Sequence, residues 1–142
     1  MLGDTRGHLW LFNYETAQEI SSVKAHPERI TGLSLKADDE GYELISSSKD
    51  SFLNVYRYSN NQNPGQECLS KSQSLKQTYL NIIYEAMYSD DRMLLLGFSG
   101  LHCFLWDTHQ NLALIKVNTK GGNRPIRARY GPLSEQSSTN QA

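Results

Sequence analysis

Apolar and polar residues alternate in short runs along this chain, and the period is two. Leu9 and Leu11 fall on one face of a run whose other face is His8, Trp10 and Phe12. Period-two alternation over four to eight residues predicts half-buried β-strands. Further strands are predicted from Glu19 to Lys24, Ile30 to Leu35, Glu43 to Ser47, Phe52 to Tyr56, Ile82 to Tyr88, Met93 to Gly97 and Leu101 to Trp106. A run from Cys68 to Ser74 is the candidate outer strand of the middle group, and Leu112 to Val117 is read as a further strand after the last one. Turn-forming segments separate them: Asn13-Tyr14-Glu15-Thr16, Ala25-His26-Pro27-Glu28, the acidic stretch from Ala37 to Gly41, Ser48-Lys49-Asp50-Ser51 and Ser89-Asp90-Asp91-Arg92. Pro27 lacks a backbone donor and restricts His26, so that segment is a loop and not a ladder.

The pattern recurs. Three runs end on an aromatic residue, Phe12, Tyr56 and Trp106, spaced 44 and 50 residues apart. Leu11, Val55 or Leu105 directly precedes each aromatic, and Gly3, Ser47 or Gly97 opens the turn before each run. A polar, turn-rich insertion from Asn60 to Gln66 accounts for the longer second interval. Units of 40–50 residues, each with about four short strands, have the size of β-propeller blades. The expectation is an all-β partial propeller of two to three four-stranded antiparallel blades over residues 1–130. Residues 131–142, polar and rich in Ser, Gln and Asn, are expected to form a disordered tail. Two or three blades cannot close a ring, and open sheet edges are a liability. The chain is therefore expected to be part of a longer propeller, and marginal or aggregation-prone when isolated.

Composition changes this picture little. The chain has 142 residues, 38% of them hydrophobic, with a net charge of −1. No run approaches the roughly 20 apolar residues that a membrane span needs. The start, Met1 to Arg6, lacks the basic-then-apolar layout of a secretion signal, and two cysteines, Cys68 and Cys103, make no disulfide framework. A cytoplasmic protein with reduced thiols is expected. The charge is uneven, however. No acidic residue occurs from Thr108 to Ser134, where Lys116, Lys120, Arg124, Arg127 and Arg129 all fall. Such a stretch is either a solvated edge or a surface for an acidic or phosphate-bearing partner.

The Trp106-Asp107 ending, repeated in phase, resembles the WD-repeat family. In that family an Asp in the turn between inner strands bonds to turn backbone and to a His ahead of the first strand. That His bonds on toward a hydroxyl and the aromatic. The resemblance implies these roles here for Asp50, His26, a serine (Ser46 or Ser48) and Tyr56. Such a buried network specifies the fold and performs no reaction. The flanking units depart from it: Arg6 and Gly100 stand at the Asp position and no His precedes Ile82. They are expected to rely on packing alone. A narrower resemblance covers residues 94–124: Leu95-Leu96-Gly97-Phe98, Phe104-Leu105-Trp106, Val117-Asn118 and Gly121-Gly122-Asn123-Arg124 are similar to a blade of the WD-repeat regulatory subunits of tRNA wobble-position 2′-O-ribose methyltransferases. Where those have an aromatic after the Arg, this chain has Pro125-Ile126.

Other chemistry is weakly signalled. His102, Cys103, Asp107 and His109 lie close in sequence, but adjacent strand residues point to opposite faces, so His102 and Cys103 diverge. Gly97-Phe98-Ser99-Gly100-Leu101 lacks the last glycine and the following helix of a nucleophile elbow. Gly121-Gly122-Asn123 lacks the Lys-Ser/Thr of a phosphate loop. No enzyme, cofactor or metal is therefore expected. What the narrower resemblance implies is a non-catalytic scaffold that binds the tRNA 2′-O-ribose methyltransferase and helps position tRNA, with Lys120, Arg124, Arg127 and Arg129 as candidate contacts. The alternative is a different WD-repeat interaction platform, such as a ubiquitin-ligase adaptor or a signalling scaffold.

Overall fold

The computed structural model describes residues 1–39, 41–59, 69–89 and 92–120. Among them are eleven strands in three antiparallel sheets. β1 (Leu2–Gly3), β2 (His8–Phe12) and β3 (Glu19–Lys24) form the first sheet. β4 (Ile30–Asp38), β5 (Gly41–Ser48), β6 (Phe52–Ser59) and β7 (Leu69–Lys76) form the second. β8 (Ile82–Ser89), β9 (Arg92–Ser99), β10 (His102–Asp107) and β11 (Leu112–Asn118) form the third. Each sheet is a meander in chain order, so every blade is a local unit. The strand read from Leu112 belongs to the third blade as its outer strand, pairing with β10, and starts nothing new. That blade therefore has four strands, and the described residues hold three strands of one blade followed by two four-stranded blades.

The side-chain alternation decides how the blades stack. Leu9 and Leu11 of β2, with Val23 of β3, pack toward the second sheet against Leu44, Tyr56, Tyr58 and Leu69. Ile45, Leu53 and Val55, on the other face of the second sheet, pack against Leu80, Ile83, Ala86 and Leu95 of the third, with Phe104 and Trp106 alongside. Tyr56 and Trp106 thus face the preceding blade, and Leu11 and Val55 face the following one. β4 and β5 lie against β8, and β1 lies against β4. Leu112, Leu114, Ile115 and Val117 of β11 are exposed, as is Leu2 at the other end.

Each sheet carries a β-bulge at the same phase. The register slips between Leu11 and Phe12, between Val55 and Tyr56, and between Leu105 and Trp106, so two outer-strand residues oppose one inner residue. A bulge increases local twist, which suits blades that turn progressively outward. The small residues opening the repeats also have a packing role. A Cβ on Gly97 would meet Leu80 Cδ1 at 2.3 Å, and one on Gly3 would meet Ile30 Cγ2 at 2.7 Å. At Gly3 the first strand of the next blade fills the space that a side chain would take, and at Gly97 the segment leading into its own blade does.

Candidate functional site

The strongest constellation sits where the β3–β4 loop meets the second blade. His26 is buried, and its Nδ1 donates to Asp50 Oδ2 at 3.0 Å. With that proton on Nδ1, Nε2 accepts from the Ser46 hydroxyl at 2.9 Å. Asp50 uses its other oxygen, Oδ1, to accept the Phe52 amide at 2.8 Å, which holds the β5–β6 turn. Ser48 takes the Asp50 amide at 3.3 Å, so the two serines divide the work between histidine and aspartate.

Tyr56 stays out of this network. Its ring is buried in the first blade interface, but its hydroxyl has no hydrogen-bond partner among the described residues. Tyr56 follows Asn54 by two residues on the same face of β6, so its ring lies one step farther along the strand and packs against the first sheet, with the Lys71 ammonium 5.9 Å from its centroid. Asn54 takes the place expected for the aromatic. Its side-chain amide donates to the Ala25 carbonyl at 2.6 Å, and its Oδ1 accepts from the Ser74 hydroxyl. The network therefore ties the loop to β6 and onward to β7. A polar asparagine between Leu53 and Val55, in a segment otherwise rich in strand formers, was the sequence signal for it.

Burial pushes the Tyr56 hydroxyl up to about 12. In the unfolded chain it ionises near its ordinary value of about 10. Its contribution to stability is therefore full below pH ~10 and is lost as pH rises through about 12. Tyr56→Phe is expected to change stability by less than about 1 kcal/mol at pH 7, because no hydrogen bond is given up. It is expected to reduce the alkaline loss, read from urea midpoints at pH 7 and 11. A Phe variant as alkali-sensitive as the parent would contradict the assignment.

The first blade departs from the reliance on packing alone expected for it. Asp4 Oδ1 accepts the amides of Arg6 at 2.8 Å and His8 at 2.9 Å, and Oδ2 approaches His8 Nδ1 at 3.3 Å. The His8 backbone N–H, more than any other group, holds the Asp4 carboxyl below its usual range. Gly7, at φ +82°, lets the loop carrying His26 lie on the turn: the Ala25 and His26 amides both donate to the Gly7 carbonyl. A Cβ there would stand 2.2 Å from the His26 carbonyl oxygen.

Residues after the repeat aromatics act as turn caps. Asp107 Oδ1 accepts the His109 and Gln110 amides at 2.8 and 3.1 Å, and Asn13 Oδ1 accepts those of Glu15 and Thr16 at 2.9 and 3.1 Å. Five residues beyond each aromatic, Ala17 and Asn111 have positive φ, so the two turns share one conformation. Asp107 is thus a local capping residue. Cys103 is buried, and desolvation pushes its thiol up, while His102 on the opposite face tilts against the Phe104 ring. Among the candidate cationic contacts, Lys120 follows β11 on the exposed rim, and Arg124, Arg127 and Arg129 lie outside the described residues, as do Cys68 and the tail. Of the other two repeat aromatics, Phe12 is partly exposed and Trp106 stacks on Tyr79 at 5.2 Å between ring centroids. Among the described residues no helix is long and apolar enough to cross a membrane.

No protein-family model matches the chain, and no curated protein matches it. Solved structures do match. The chain is similar to the WD40 repeats of RRP9, with a TM-score of 0.56 and 16% identity over 79% of this chain and 31% of that one. It is similar to the β-propeller domain of Cps50 (Swd1) from Myceliophteria thermophila, with a TM-score of 0.55 and 16% identity over 80% and 37% of the two chains. A chain of the mitotic checkpoint complex matches with a TM-score of 0.56 and 13% identity, over 82% and 33%. The fold is that of a WD40 β-propeller, and the chain spans about a third of the length of the propellers it matches.

Proposed function

We propose that the chain is a non-catalytic WD-repeat scaffold that supports tRNA wobble-nucleoside 2′-O-ribose methylation by binding the methyltransferase and tRNA. The observation that carries this reading is the likeness of residues 94–124 to a blade of the regulatory subunits of such enzymes; the described part of that stretch is the β9–β10–β11 meander and its Asn118-capped turn. The fold suits the role. Both faces of the central blade are consumed by blade–blade packing, which leaves the rims of turns as the natural contact surface. His26, Ser46, Ser48 and Asp50 serve that role indirectly, by holding the loops that form one rim.

The test is co-purification of the tagged chain from cell extract, with mass-spectrometric detection of bound proteins and of 2′-O-methylation at the tRNA wobble position after depletion. A ribose methyltransferase among the bound proteins and a drop in that modification are expected. Partners of another kind, with the modification intact, would favour a generic interaction platform.

A further inference from the structure

The described charges segregate between the two rims of the blades. The rim formed by the β1–β2, β3–β4, β5–β6 and β7–β8 connections and the end of β11 carries Arg6, Lys24, Arg29, Lys49, Lys76 and Lys120, all exposed. These cations are scattered over more than a hundred residues of sequence and meet only because every odd connection of the meander returns to the same side. The acids of that rim are largely engaged. Asp50 is bound to His26 and the Phe52 amide, and Asp4 to the Arg6 and His8 amides. Glu28 is exposed. On the opposite rim, the described turns Asn13–Gln18 and Thr108–Asn111 and the β4–β5 connection contain Glu15 and Asp39, and the strand ends there include Glu19, Asp107 and one cation, Arg92 at the start of β9.

The cationic rim also presents an aromatic platform. Tyr79, in the β7–β8 connection, is 59% exposed while its ring is braced by Trp106 at an interplanar angle of 15°. Lys76 lies three residues before it. The turn bearing Lys49 touches the same connection: the Gln77 amide donates to the Ser51 carbonyl, and the Ser51 hydroxyl donates to the Asn81 carbonyl. The Lys76 ammonium lies 5.5 Å from the Phe52 ring centroid, so cations and a pre-braced ring share one rim, which suits a single-stranded nucleic acid, whose phosphates pair with ammonium groups and whose bases stack on aromatic faces. An acidic protein would use the cations and leave the ring idle.

We propose that this rim is a docking face for single-stranded RNA, with Lys49 and Lys76 contacting phosphates and Tyr79 stacking a base. The inference rests on the tRNA-handling scaffold read above and deepens it, but its test is separate: the methyltransferase is captured by co-purification, RNA by direct titration. The probe is a fluorescent, mixed-sequence oligoribonucleotide of about 15 nucleotides, near the upper site size of single-strand platforms, titrated with the 142-residue chain at several salt concentrations. Lys49→Glu with Lys76→Glu is expected to weaken binding at least about tenfold and to flatten the salt slope by about 1.4, at 0.7 per contact. Lys71→Glu with Lys116→Glu changes the net charge equally on the outer strands and is expected to leave both unchanged. Tyr79→Leu is expected to cost about fivefold or more at unchanged slope. Absence of RNA binding, or equal losses from both charge pairs, would overturn the proposal. So would displacement of the RNA by polyglutamate together with an unaffected Tyr79→Leu variant, which would point to an acidic protein. If the glutamate pair perturbs the circular dichroism spectrum, Lys49→Gln with Lys76→Gln reads the same contacts.

Discussion

Asp50→Ala is expected to destabilise the chain by about 2–3 kcal/mol, the usual cost of removing a carboxylate that accepts buried hydrogen bonds and leaving its donors unpaired. Two losses combine. His26 keeps its buried position but loses the acceptor 3.0 Å from Nδ1, and the Phe52 amide loses its cap in the β5–β6 turn. That is a large fraction of the roughly 5–15 kcal/mol that holds a domain folded. Urea unfolding followed by circular dichroism measures the effect. His26→Ala introduced into the Asp50→Ala background is expected to cost less than His26→Ala alone, since the two act through one network. A loss below about 1 kcal/mol for Asp50→Ala would mean that the loop is held by the Gly7 carbonyl and by packing, with the carboxylate incidental.

Leu95→Ala is expected to cost about 2–5 kcal/mol, the range for emptying a leucine-sized site in a close-packed core. Leu95 is fully buried among Ile45, Leu53, Leu80 and Ile83, on the face of the third blade that meets the second. The cost is therefore charged to the blade interface and not to the third sheet alone. Val117→Ser, on the exposed side of the outer strand, is the matched control and should stay within about 0.5 kcal/mol. Thermal melts of the two variants decide. If both melt like the parent, the second and third blades are not packed as one cooperative unit.

Much of the architecture was legible along the chain. The alternation around Leu9–Leu11, Val55 and Leu105 predicted strands, and the phase of Phe12, Tyr56 and Trp106 predicted repeating blades. His26 and Asp50 were legible as a pair through the resemblance to the WD-repeat family, and the structure brings them to 3.0 Å. Asn54 was harder. It lies inside a strand, and only the arrival of the Ala25 carbonyl gives its amide a partner. Asp4 was passed over in favour of Arg6 because alignment by phase alone ignores that this turn is built differently from the one at Asp50.

Strand, turn and repeat follow from local rules: a period of two, proline without a donor, glycine and asparagine at turns. The sequence by itself therefore determined that this is a chain of short antiparallel meanders repeating as propeller blades. Tertiary structure alone decided three other matters. It placed a bulge before each repeat aromatic, because a two-against-one register depends on the partner strand as much as on the residue itself. It gave the histidine's loop to Asn54 and left Tyr56 to the first blade interface, because that loop arrives two residues earlier along the same face of β6. It also gathered six cations on one rim, because connections distant in sequence return to the same side of stacked sheets.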